Sequence, residues 1–113
     1  MELEISTQEF QEKLKLLPSS PHAAPFCLLD VRESWETELC LLPGSLLIPM
    51  ADLPDRVHQE LDRDAHIVVV CHHGNRSLVA VLWLREQGFH QAQSLAGGLE
   101  EWASTVDPSM DRY

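Results

Sequence analysis

Seven consecutive residues, Cys71-His72-His73-Gly74-Asn75-Arg76-Ser77, carry the side chains best suited to chemistry in this chain. A cysteine acts as a nucleophile through its thiolate, and the thiolate forms where unpaired N–H groups or positive charge surround it. Gly74 lets the backbone turn so that successive N–H groups aim at one point, a nest for an anion. Attack by an activated Cys71 is therefore the expected chemistry. Arg76 is expected to brace the loop through a carboxylate, because paired guanidinium hydrogen bonds fix geometry. Asp30 and Glu36 are the candidate partners. His72 and His73 read either as solvated loop residues or as participants that gain charge as the pH drops toward about 6. No metal is expected at Cys71, His72 and His73, since consecutive loop residues seldom converge on one ion.

Two elements must position this loop. Residues 67–70 are a short apolar, β-branched run and read as a buried strand. Residues 77–87 are apolar and free of proline, so they read as a buried helix, which Gly88 terminates. The loop thus sits at a helix N-terminus, where unsatisfied N–H groups and the helix dipole favour an anion.

The remaining elements follow the same alternation. Short strands are expected at residues 3–6, 26–29, 46–48 and 93–95. Ser6-Thr7-Gln8-Glu9 is a capping box that opens a helix with Phe10, Leu14, Leu16 and Leu17 at roughly helical spacing. Residues 18–25 are rich in proline and serine and read as an exposed loop. Trp35, Glu36 and Leu39 fit a short helix. Leu53, Val57 and Leu61 mark one face of another. Pro43-Gly44 is a turn. Gly97-Gly98 opens a last helix bearing Leu99 and Trp102. Trp35, Trp83 and Trp102 are expected to pack inside, as is Cys27, while Cys40 is expected to be a semi-buried residue or a resolving thiol. Strands alternating with helices predict one α/β domain over residues 1–113. It has three layers, with a mostly parallel five-stranded sheet, helices on both faces and a peripheral tail over residues 107–113. Ligands of such sheets bind at the carboxyl ends of the strands, where Cys71 lies.

Charge and composition exclude several function classes. The formal net charge is -10, from 18 acidic against 8 basic residues. A field of that sign repels phosphate backbones and anionic lipid, so neither nucleic acid nor membrane is an expected partner. No apolar run approaches the roughly 20 residues that span a bilayer, and the first ten residues do not read as a signal peptide. Three widely spaced cysteines argue for a reducing compartment, the cytoplasm, and against a disulfide framework.

Four segments in order resemble the rhodanese family. They are Leu28-Leu29-Asp30-Val31-Arg32-Glu33 with Trp35-Glu36, Leu42-Pro43-Gly44-Ser45 with Ile48-Pro49, the loop Cys71 to Ser77, and Leu95-Ala96-Gly97-Gly98-Leu99-Glu100-Glu101-Trp102. The resemblance implies a single-domain sulfurtransferase that needs no cofactor. Cys71 would accept a sulfane sulfur as a persulfide and pass it to cyanide, a small thiol or a protein thiol. It also implies substrate-binding roles for His72, His73, Gly74, Asn75, Arg76 and Ser77, and supporting roles for Asp30, Arg32 and Glu36. Its partners would be small sulfur donors and acceptors, or a protein in either role. The chain departs from the common pattern at Cys40-Leu41, where many members carry Gly-His, and at His72-His73, where many carry Arg or Lys. Both departures bear on substrate choice. With no Lys or Arg between His72 and Asn75, the dianion thiosulfate is expected to be a weak donor, improving toward pH 6 as the imidazoles charge.

Two rival functions are a cysteine-dependent phosphatase of the same fold and a non-catalytic interaction module. Phosphate-binding cysteine loops of that kind hold five residues between Cys and Arg. Here four intervene, and the smaller loop favours a single sulfur atom. The presence of Cys71 itself argues against the module.

Overall fold

The computed structural model describes residues 1–16 and 26–113; the proline- and serine-rich segment and Leu17 lie outside the described residues. In chain order the elements are β1 (Glu4–Ile5), α1 (Thr7–Leu16), β2 (Phe26–Asp30), α2 (Ser34–Leu39), β3 (Leu46–Leu47), a 3-10 turn at Met50–Asp52, α3 (Leu53–Glu60), β4 (His66–Val70), α4 (Asn75–Glu86), β5 (Ala92–Leu95) and α5 (Gly98–Thr105). The strands form one sheet in the order β1-β5-β4-β2-β3, and every pairing is parallel. The sheet is the expected five-stranded one, with its central strand leading into the cysteine loop.

The period-2 alternation of the strands divides the core. Leu29, Ile67 and Val69 face α3 and α4, joining Leu53, Val57, Ala80, Val81 and Leu84. Leu28, Val68 and Val70 face α1 and α5, joining Phe10, Leu99 and Trp102. Each fully buried aliphatic chain here contributes roughly 1.5–3 kcal/mol of transfer free energy. β4 is apolar on both faces because helices cover it on both sides.

Local signals hold in detail. Ser6 Oγ accepts the Glu9 N–H at 3.1 Å and the Ser6 N–H donates to Glu9 Oε1 at 3.3 Å, the reciprocal pair of a capping box. Gly88 stops α4 with φ of 101°. α4 starts two residues earlier than the apolar pattern suggests, at Asn75, because Gly74 with φ of 96° turns the chain into it. Trp102 and Trp83 pack as expected, but Trp35 does not: it is 58% exposed on α2. A six-residue helix at the sheet periphery leaves it no layer to pack under. Cys27 is half-buried against the α3/α4 core, and burial pushes its thiol pKa up. Among the described residues no helix is long and apolar enough to cross a membrane.

Candidate active site

Cys71 follows β4 and is 1% exposed. Its sulfur accepts the Gly74 N–H at 3.1 Å and the Ser77 N–H at 3.3 Å. Ser77 Oγ stands 3.3 Å from Sγ; the thiol can donate to it, and once ionised the sulfur can accept its proton. That hydroxyl also donates to the Gly74 carbonyl at 3.2 Å and shares a 2.7 Å hydrogen bond with Ser94 Oγ on β5. Ser77 and Ser94 are fully buried. Among the described residues the N–H groups of His73, Asn75 and Arg76 meet no acceptor. The loop therefore keeps donors in reserve for an anion at its centre. A cavity of about 210 Å³ opens there, lined by Cys71, His72, His73, Asn75 and Arg76.

The loop is held from behind by α5, a support the sequence reading missed. Leu99 N–H donates to the Cys71 carbonyl at 2.9 Å, and Glu100 N–H donates to the His72 carbonyl at 3.0 Å. The approach is possible only at a glycine. A Cβ on Gly98 would lie 2.5 Å from both carbonyl oxygens, and its φ is +62°. Gly74 is likewise confined, since a Cβ there would meet Gly97 N at 3.1 Å. The Gly97-Gly98 pair was the available signal, but nothing local says which backbone it approaches.

The supporting residues separate into two pairs. Arg76 Nη1 meets Glu36 Oε2 at 3.0 Å, so of its two candidate partners Glu36 is the one used. Burial works against the Arg76 cation, but Glu36 more than offsets it and raises the pKa. Asp30 instead holds Arg32, with Nη2 to Oδ2 at 2.7 Å and Nε to Oδ1 at 3.0 Å, both side chains fully buried. Arg32 then spans the remaining distance to the rim. It donates to the Cys40 carbonyl at 2.7 Å, to the Glu36 carbonyl at 3.3 Å and to Tyr113 Oη at 3.1 Å. Cys40 is half-exposed, and its sulfur accepts a long contact of 3.6 Å from Arg32.

The tail does not stay peripheral. The Tyr113 ring stacks on His72 with centroids 3.8 Å apart, His72 stacks on His73 at 4.0 Å, and Trp35 meets Tyr113 edge-on at 5.9 Å. Four rings thus form a continuous aromatic rim. His72 Nε2 is buried without a hydrogen-bond partner, with Glu100 Oε2 at 3.7 Å, too long for a hydrogen bond. Burial, and then the neighbouring His73, push the His72 pKa below its usual 6.5, with Glu100 opposing. The His72 cation is thereby disfavoured relative to a free imidazole, because the stacked rings leave its buried Nε2 without the water a cation would need.

A family model, the rhodanese-like domain, matches residues 8–105. The chain is 37% identical to adenylyltransferase and sulfurtransferase MOCS3 of Arabidopsis thaliana across 99% of its own length and 26% of that protein. It spans about a quarter of the length of the curated relatives it matches. Among solved structures it resembles a rhodanese-like domain protein from Staphylococcus aureus, with TM-score 0.77, 28% identity and 99% of each chain covered. It also resembles the human single-domain sulfurtransferase TSTD1, with TM-score 0.72, 26% identity and 93% and 98% of the two chains covered.

Proposed function

The chain belongs to the rhodanese-like domain family, and on that footing we propose that it is a sulfurtransferase working through a persulfide on Cys71. The observation that carries this reading is the cage around one sulfur. The Gly74 and Ser77 N–H groups reach Sγ, and the N–H groups of His73, Asn75 and Arg76 stay free for one more atom. In the first half-reaction the Cys71 thiolate attacks the sulfane sulfur of a donor. A new S–S bond forms, the donor's bond to that sulfur breaks, and the leaving group departs with the electron pair. The outer sulfur then sits among the free N–H groups, which stabilise its negative charge. In the second half-reaction an acceptor, either cyanide or a small or protein-bound thiolate, attacks that outer sulfur. The Cys71 thiolate is released.

Each supporting group has a positional task. Ser77, backed by Ser94, fixes Sγ from below. The Arg76–Glu36 pair holds the first turn of α4 against α2, and the Asp30–Arg32 pair holds α2 against the sheet. With Arg76 engaged by Glu36, the loop lacks the free guanidinium that a phosphoryl group would call for. The reading places the protein in the cytoplasm, where its three free thiols persist.

The test is mass spectrometry after exposure to a sulfane-sulfur donor, followed by cyanide. One added sulfur on Cys71, removed by cyanide, is expected in the wild type and absent in Cys71→Ser. Residual transfer in that variant above about a tenth of wild type, a barrier change under about 1.4 kcal/mol, would sink the assignment.

A further inference from the structure

Two features of the mouth are unused by this mechanism: its aromatic rim and its lack of free positive charge. Trp35 is 58% exposed and Leu39, on the same helix, is 45% exposed. From Trp35 the rings of Tyr113, His72 and His73 lead without a break to the cavity over Cys71. Exposed apolar surface of this kind, continuous with a reaction centre, marks contact with a macromolecule, and tryptophan and tyrosine dominate binding energy at such contacts. All eight Lys and Arg residues lie in the described part of the chain. Arg76 alone lines the cavity, and it is paired with Glu36. Arg32 is buried on Asp30, and Arg112, just before Tyr113, is bound to Glu100. The acids beside the rim are not neutralised in this way. Glu33, Glu38 and Asp111 are exposed and make no ion pair among the described residues.

We propose that the sulfur partner of this site is a protein that carries its reactive cysteine among basic residues, docking on the rim from Trp35 to His73. This rests on the sulfurtransferase reading. Lysine or arginine side chains of the partner would meet Glu33, Glu38 and Asp111, and one could lie over the Trp35 face, where a cation is attracted to the ring. In the donor direction the Cys71 thiolate attacks the outer sulfur of the partner's cysteine persulfide. The Sγ–S bond forms, the partner's S–S bond breaks, and the partner's thiolate leaves with the electron pair. The proton of the persulfide stays on the transferred sulfur. A small dianion such as thiosulfate gains nothing from the rim and meets a net charge of -10. His72, stacked between Tyr113 and His73 with its Nε2 buried and unpartnered, is a poor source of positive charge for it.

The experiment compares three donors: thiosulfate and two synthetic peptides bearing a central cysteine persulfide, one flanked by lysine and one by glutamate. The lysine peptide is expected to load Cys71 with a kcat/KM at least about tenfold above the glutamate peptide at low salt, the ratio shrinking as salt screens the charges. Glu38→Lys with Asp111→Lys should reduce that preference, and Trp35→Ser should lower kcat/KM for the lysine peptide several-fold while changing that for thiosulfate less than about twofold. Equal rates for the two peptides overturn the proposal. So does a Trp35→Ser variant that loses thiosulfate activity in the same proportion, since the tryptophan would then act on the loop and not on the partner. If no donor loads wild-type Cys71, the sulfurtransferase reading itself fails. If all three load it equally, that reading stands and the basic partner falls.

Discussion

At the floor of the cavity, the groups facing the sulfur are backbone N–H groups of Gly74 and Ser77 and a serine hydroxyl backed by Ser94, all of them buried. At the rim His72 and His73 line the cavity, and the stack continues outward through Tyr113 to Trp35, which is mostly exposed. The floor is set by chain path: where β4 ends, how Gly74 turns, and how closely α5 approaches. The rim is set by side-chain identity and could be exchanged residue by residue with the chain path intact. On the proposed function, the capacity to hold a sulfur anion would belong to the fold, while discrimination among sulfur carriers would belong to the surface.

The strongest way to break that division is to remove Arg32, which lies beneath both regions. Its loss leaves the Asp30 carboxylate buried without a counter-charge, held only by the backbone N–H at position 32, and frees the Cys40 carbonyl and Tyr113. Arg32→Ala is expected to lower unfolding free energy by about 3–5 kcal/mol, read as a fall in the urea midpoint. A change under about 1 kcal/mol would mean that water or another cation replaces the guanidinium. Next in size is Gly98→Ala, which attacks the floor alone. The added carbon would be 2.5 Å from the Cys71 and His72 oxygens at a φ of +62°. A loss of more than about 2 kcal/mol is expected, together with a Cys71 that no longer loads sulfur. Retention of both stability and loading would show that α5 is not the loop's support.

The smallest effect sharpens the contrast through pH. Burial lowers the pKa of His72 at the rim and of His66 on β4 below 6.5. Both are held neutral in the folded state, so their contribution is complete above pH 6.5 and is lost as the pH falls from there through their folded values. The melting temperature should therefore decline below pH 6.5. A His72→Gln variant should show a shallower decline, the part that belongs to the rim. A slope unchanged by that substitution would assign the whole effect to His66 and other groups.

Which parts of this were legible beforehand follows from range in the chain. The strand, loop and helix around Cys71 are written in adjacent residues, so apolar periodicity and one glycine suffice. The Ser6–Glu9 capping box was equally readable, being four residues long. Glu36 could be named only as one of two candidates for Arg76, since forty positions separate them. Ser94 carries no local mark of its task; its neighbours on β5 are equally buried, and only the parallel register with β4 brings it under Ser77. Trp35 and Tyr113 were misplaced for one reason. Aromatic residues are ordinarily read as core or as idle tail, and an exposed ring pair that continues an active loop matches neither pattern.

The grip of α5 on the cysteine loop also sets an order of events as the chain is made. Cys71, Gly74 and Ser77 emerge from the ribosome before Ser94 and Gly98 do. Until β5 is laid beside β4 and the first turn of α5 reaches the Cys71 and His72 carbonyls, the loop lacks both its serine backing and its rear hydrogen bonds. A nascent chain therefore carries its cysteine without the anion cage until β5 and α5 have docked, so that reactivity toward sulfur serves as a certificate that this part of the fold is complete.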